Sequence, residues 1–121
     1  MKVLIIDDEP LIRRSLSRVF ISRGHQVLES VDGEDGLSAW IQEKPDLVLL
    51  DILMPRKTGV EVLSQIGSDK TGKVFLMSAH AGTYDTQSVL KLGADGFLQK
   101  PFEDIFKVVT SLEERCYEGS K

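Results

Sequence analysis

Five short apolar runs alternate along the chain with longer stretches whose apolar residues recur at helical spacing, and this alternation restricts the fold more than any other feature. Val3-Leu4-Ile5-Ile6 is β-branched and too brief for a helix, so it reads as a strand buried on both faces. Pro10 suits a first helical position, and Ile12, Leu16, Val19 and Phe20 then share one helix face, closed by Gly24. His25 to Glu29 is a strand of mixed polarity, as expected at a sheet edge. Asp32 is placed to cap a second helix through Leu37, Trp40 and Ile41, in which Gly36 reads as a local weakness. Asp46 to Leu50 is the most apolar strand, and its end delivers Asp51. Val60, Leu63 and Ile66 mark a third helix, and Val74 to Met77 a fourth strand. A fourth helix is expected from about Tyr84 to Leu92, with Gly93 as its C-cap. A fifth strand around Gly96 to Gln99 precedes a last helix that buries Ile105, Val108, Val109, Leu112 and Cys116.

Five such units with short connections imply a doubly wound α/β fold, a parallel sheet covered by helices on both faces. The pattern leaves the strand order open. In sheets of this kind ligands bind at the C-terminal edge of the strands, near the point where chain direction across the sheet reverses. A chain of 121 residues suffices for one domain with a real core, but leaves no room for a second of normal size. Residues 118–121 read as a tail or the start of a linker after a domain spanning 1–117.

Charge and cysteine content narrow the function. Fifteen Lys and Arg against nineteen Asp and Glu give a net charge of −4, so binding to nucleic acid through its phosphates is not expected of this domain. Cys116 stands alone, which excludes an internal disulfide and a four-thiolate zinc site. The apolar start is cut off by Asp7, Asp8 and Glu9, too early for a signal peptide, and no stretch is long enough for a membrane span. A cytoplasmic location is the expectation.

The strand ends carry the chemistry: Asp7 and Asp8 after the first strand, Asp51 after the third, Ser78 at the end of the fourth and Lys100 after the fifth. If these converge, three carboxylates share one edge. Two of them about 4 Å apart repel by roughly 4 kcal/mol at an effective dielectric near 20, so the cluster favours a bound cation. Hard oxygen ligands with open water positions suit Mg2+. A carboxylate beside Mg2+, a lysine and a hydroxyl is a phosphoryl acceptor, with Asp51 as the candidate nucleophile.

Leu4-Ile5-Ile6-Asp7-Asp8-Glu9-Pro10, Leu49-Leu50-Asp51-Ile52-Leu53-Met54-Pro55, Met77-Ser78-Ala79 and Phe97-Leu98-Gln99-Lys100-Pro101-Phe102 together resemble the four signature segments of the response-regulator receiver domain of two-component signalling. The resemblance covers nearly all of residues 1–117. It implies a flavodoxin-like fold with five strands in the order 2-1-3-4-5 and five helices. It implies Asp51 as phospho-acceptor, Mg2+ held by Asp7, Asp8, Asp51 and the backbone carbonyl of Leu53, and Lys100 and Ser78 on the phosphoryl oxygens. It also implies a cis Lys100-Pro101 bond and Phe97 as a switch aromatic coupled to Ser78. The phosphoryl donor would be a histidine kinase or a phosphotransfer protein. Phosphorylation would change the surface of the fourth helix, fifth strand and fifth helix for a downstream protein or output domain, with homodimerisation on phosphorylation a further expectation. By their positions Tyr84 and Phe106 either contribute to that surface or pack only locally. Such a protein is a signalling receiver rather than a metabolic enzyme, catalysing only its own phosphorylation and dephosphorylation.

Some positions depart from the family pattern. Phe97 stands where many receivers have Tyr and lacks the hydroxyl that could distinguish inward from outward rotamers, which makes the output of the switch less predictable. Thr58 stands where an acid is common, with consequences expected only for local hydrogen bonding. Leu53 and His80 occupy positions that tune phosphoryl lifetime in the family, and His25 is expected to be structural. Gly67 to Lys73 matches a nucleotide-binding P-loop up to the lysine, but Val74 replaces the required Ser or Thr and the segment leads into a strand, so it reads as a mobile polar loop. A haloacid-dehalogenase-like phosphatase would have a second Asp where this chain has Leu53, and a flavin protein would have a Ser/Thr-rich loop after the first strand. The rival from another class is a phosphorylation-independent scaffold, which has no need of Asp7, Asp8, Asp51, Ser78 and Lys100 together.

Overall fold

In the computed structural model, which describes residues 1–79 and 84–118, strands and helices alternate throughout. The strands are β1 (Lys2–Ile6), β2 (Gln26–Ser30), β3 (Leu47–Asp51), β4 (Lys73–Ser78) and β5 (Gly96–Gln99). Between and after them run α1 (Pro10–Ser22), α2 (Gly33–Glu43), α3 (Gly59–Ile66), α4 (Thr86–Lys91) and α5 (Ile105–Glu118). All strand pairs are parallel and the order is β2-β1-β3-β4-β5. This is the flavodoxin-like arrangement, and the chain reverses direction across the sheet between β1 and β3.

Because side chains alternate across a strand, the apolar runs feed two separate cores. Leu4, Ile6, Val48, Leu50, Val74 and Leu76 face Trp40 of α2, Val62, Leu63 and Ile66 of α3, and Val89 of α4. Val3, Ile5, Leu47, Leu49, Phe75 and Met77 face Leu16, Val19 and Phe20 of α1 and Val109 and Leu112 of α5. Right-handed crossovers explain the division, since the step from β1 to β2 runs opposite to the later steps and puts α1 on the other side. The edge strands β2 and β5 mix exposed with buried positions.

Local signals fix where the helices begin. Asp32 accepts a hydrogen bond from the Asp35 amide at 2.9 Å, capping α2 as the sequence suggests. Thr58 forms a reciprocal capping box with Glu61, so the residue standing in place of the usual acid starts α3. Asp85 does the same with Ser88, which is why α4 starts at Thr86 and leaves Tyr84 outside it, shorter than the expected helix. The 67–73 segment is not the mobile loop its composition suggested. Gly67–Asp69 forms a 3-10 turn, the Thr71 carbonyl accepts from Trp40 Nε1 at 3.1 Å, and Lys70 reaches Asp95 at 3.4 Å. Lys73 then enters β4 directly, so the segment lacks the strand-to-helix geometry of a phosphate loop.

Gly36 also has a different meaning in three dimensions. A Cβ there would lie 2.6 Å from Ile6 Cγ2, so the missing side chain lets α2 lie against β1. At the end of the molecule away from the strand C-termini, His25 is buried and structural, as expected. Its Nε2 meets Glu113 Oε2 at 2.5 Å and its Nδ1 meets the Met1 amine at 2.9 Å, while Arg23 binds the other Glu113 oxygen at 2.6 Å. This group ties α5 to the end of α1. Burial pushes the Glu113 carboxyl up, but hydrogen bonds from His25 and Arg23 outweigh it and hold the group below its ordinary value of 4.5.

Two outcomes follow for stability. Helix propensity alone would have Gly36→Ala stabilise the protein by about 1 kcal/mol. Contact with Ile6 reverses the sign, and urea denaturation should show a loss of about 1 to 3 kcal/mol. Because the folded value of Glu113 is depressed, its contribution is complete above the unfolded value and is lost as pH falls through the folded one. Glu113→Gln should therefore be less stable than wild type at neutral pH, and denaturation midpoints measured down an acid series should converge.

Candidate functional site

Strand register brings the polar strand ends level. Ile6 lies beside Leu50, Asp51 beside Met77 and Ser78 beside Gln99, so Asp7, Asp51, Ser78 and Lys100 emerge at one edge within a residue of each other. That edge is the C-terminal one, and β1 and β3 are the strands between which the chain reverses. The Lys100 amide donates to the Ser78 carbonyl at 2.8 Å, which extends the β4–β5 pairing into the site. The Lys100–Pro101 bond is cis, as the resemblance implies.

Asp7 is completely buried and every polar atom of it is engaged. Its amide donates to Ser30 O at 3.1 Å, and its carbonyl accepts from Arg13 Nη1 at 2.8 Å. Of its carboxylate oxygens, Oδ1 accepts from the Glu9 amide at 2.9 Å and Oδ2 meets Lys100 Nζ at 2.7 Å. Arg13 is itself buried and pairs through Nε with Glu29 of β2 at 2.9 Å. Asp51, 4% exposed, lies 3.3 Å from Lys100 Nζ through Oδ1. Glu9 reaches the same ammonium at 3.0 Å, so one lysine serves three carboxylates. Behind Asp51 the chain turns sharply, and a Cβ on Gly59 would lie 2.4 Å from the Asp51 carbonyl oxygen. Glycine is required there for α3 to begin so close to the site.

The electrostatics follow from this crowding. Burial pushes the Asp51 carboxyl up to about 7, assisted by the charge of Asp7 and opposed by Lys100. Burial also raises Asp7, against the hydrogen bonds from Lys100 and the Glu9 amide. Lys100 would be depressed by its own burial, but contacts with Asp7, Glu9 and Asp51 reverse that and hold it above its usual range. Among the described residues, Asp7, Asp8 and Asp51 form a group whose ligand oxygens lie within 4.8 Å of one another, with Asp8 exposed at the mouth. Three hard oxygen donors, one facing water, suit a small divalent cation that retains part of its hydration.

The other residues singled out in the sequence are distributed around this edge. Ser78 is buried at the end of β4. Leu53, 53% exposed, lies in the loop after β3. Phe97 is half-buried and packs, like Tyr84, against the core under α2, α3 and α4, whereas Phe106 stands exposed on α5. His80 lies outside the described residues. Sequence reasoning gave no role to Arg13, Glu9 or Gly59. For Arg13 a signal existed: it falls three and seven residues before Leu16 and Phe20, on the buried stripe of α1, where an arginine needs a partner.

Comparison with known proteins gives the same picture. The family model described as the response regulator receiver domain matches residues 3–111. A probable transcriptional regulator, ycf27 of Guillardia theta, is 40% identical over 101 residues, which is 84% of this chain. The match covers 40% of that relative's length. Among solved structures, the receiver domain of the Francisella response regulator 1452 is similar with a TM-score of 0.87 and 26% identity, over 99% of this chain and 98% of that one. The CheX–CheY–BeF3–Mg2+ complex from Borrelia burgdorferi is similar with a TM-score of 0.82 and 30% identity, over 94% and 87% of the two chains. With four signature segments meeting at one sheet edge and a family model spanning almost the whole fold, the chain belongs to the response regulator receiver domain family of two-component systems.

Proposed function

We propose that the domain is a Mg2+-dependent phospho-receiver in which Asp51 accepts a phosphoryl group from a phosphohistidine on a histidine kinase or phosphotransfer protein. The observation that carries this reading is a buried carboxylate at the sheet's reversal point, flanked by two further carboxylates and a shared lysine. A scaffold would bear the repulsion of that cluster with nothing in return.

In the transfer, an Asp51 oxygen attacks phosphorus in line, the P–N bond to the donor imidazole breaks, and the bonding pair leaves on that nitrogen. The product is an acyl phosphate. Asp7, Asp8 and Asp51, with the Leu53 carbonyl, would hold Mg2+, which when bound neutralises charge on the transferring oxygens. Lys100 and the Ser78 hydroxyl bind the remaining phosphoryl oxygens, and Arg13 keeps Asp7 in place from behind through its carbonyl. The same geometry admits water to the acyl phosphate later, so the domain catalyses its own phosphorylation and slow dephosphorylation without acting on a separate substrate. The Borrelia complex supports the reading in that it contains Mg2+ and beryllofluoride.

Output follows from charge. The phosphoryl group adds nearly two negative charges, drawing Ser78 and Lys100 inward and changing the packing of Phe97 and the surface of α4, β5 and α5. The recipient is a downstream protein or an attached output domain, with self-association on phosphorylation one way of reading the signal. Relatives that are transcriptional regulators support this. Among the described residues no helix is long and apolar enough to cross a membrane, in keeping with work in the cytoplasm.

Incubation with acetyl phosphate and Mg2+, followed by intact mass measurement, should add one phosphoryl group, and Asp51→Asn or a chelator should abolish the addition. Failure of both acetyl phosphate and beryllofluoride to react with or bind the wild-type protein would overturn the reading. A second outcome concerns stability. A carboxylate whose folded value of about 7 lies above its usual 3.8 destabilises the fold at alkaline pH, and that cost is relieved as pH falls through 7. In divalent-free buffer near pH 8, Asp51→Asn should therefore be more stable than wild type by on the order of 2 kcal/mol. Thermal denaturation should show the gap narrowing when Mg2+ is added.

A further inference from the structure

Lys100 stands among the oxygens that the metal would use. Its Nζ lies 2.7 Å from Asp7 Oδ2 and 3.3 Å from Asp51 Oδ1, and both residues belong to the group whose ligand atoms gather within 4.8 Å. A divalent ion repels an ammonium twice as strongly as a second ammonium would at the same distance, so an ion held by Asp7, Asp8 and Asp51 loosens the contact of Lys100 with Asp7 Oδ2. The lysine side chain is 4% exposed, and a buried ammonium left without a partner is costly.

Among the described residues, Glu9 is the ion-pair partner of Lys100 that lies outside the metal group. Its carboxylate lies 3.0 Å from Nζ and its side chain is 57% exposed, free to follow the lysine as it shifts. The residue occupies the N-cap of α1, where a side chain ordinarily accepts from the first turn, yet Glu9 makes no such bond. Pro10 follows it and has no amide proton to offer. The carboxylate is instead turned toward Lys100, while the Glu9 amide holds Asp7 Oδ1.

We propose that Glu9 is a positioning residue that receives the Lys100 ammonium as Mg2+ takes Asp7, keeping the lysine over Asp51 for the incoming phosphoryl group. The inference rests on the receiver reading above. Without Glu9, Lys100 leans on Asp7 and competes with the metal.

The test is a double-mutant cycle on Mg2+ affinity, measured by calorimetry for wild type, Glu9→Gln, Lys100→Met and the double variant. Glu9→Gln should weaken Mg2+ binding about three- to five-fold in the presence of Lys100 and leave it unchanged in the Lys100→Met background. Lysine ammonium NMR gives a readout independent of affinity: at saturating Mg2+ an ordered Lys100 signal should persist in wild type and disappear in Glu9→Gln. Equal weakening in both backgrounds would reduce Glu9 to a general negative charge, and no weakening with an unchanged Lys100 signal would remove its role altogether. Either result overturns the inference and leaves the receiver reading intact, whereas wild-type protein that binds no Mg2+ would defeat both.

Discussion

Everything at the functional edge depends on a single buried ammonium shared among carboxylates that would otherwise repel one another. Lys100 is set in place by the β4–β5 pairing and lies within 3.3 Å of Asp7, Glu9 and Asp51. One positive charge does not neutralise the cluster, and burial, joined at Asp51 by the charge of Asp7, holds both carboxyls above their ordinary range. The site is thus held in a state that favours a further cation, and the fold bears that electrostatic cost.

The apolar chain beneath makes the cost bearable. Three strands are buried on both faces, and the backbone hydrogen bonds that join them set the register. A shift of one residue in that register would exchange the two faces and also separate Asp51 from Asp7. Stability and site geometry therefore share one cause. Arg13 adds to this from below, as a buried guanidinium linking the Asp7 carbonyl to Glu29 on the edge strand.

Much of this was legible in the sequence, for physical reasons. Runs such as Leu47 to Leu50 announce doubly buried strands, and the polar residues that end them announce an edge where ligands gather. The strand order came from resemblance, because hydrophobic period says nothing about which strands are neighbours. Long-range approach was the illegible part. Gly36 read as a helix defect until Ile6 was seen beside it, and the 67–73 segment read as loose until Trp40 and Asp95 were seen to hold it. Glu9 passed for one more acid in a cluster, since an ion pair with a residue 91 positions away leaves no mark on local spacing.

The division of the interior into two cores has a mechanical consequence. Among the described residues no side chain is common to both, so the sheet acts as a bulkhead and a change of packing on one side reaches the other through strand backbones. On β5 the boundary falls between consecutive residues, with Phe97 packed on the α4 side and Leu98 on the α5 side. Helices α4 and α5, on opposite faces of the sheet, are therefore governed by separate compartments within. A partner that grips both helices would bridge two interiors that the protein itself keeps apart.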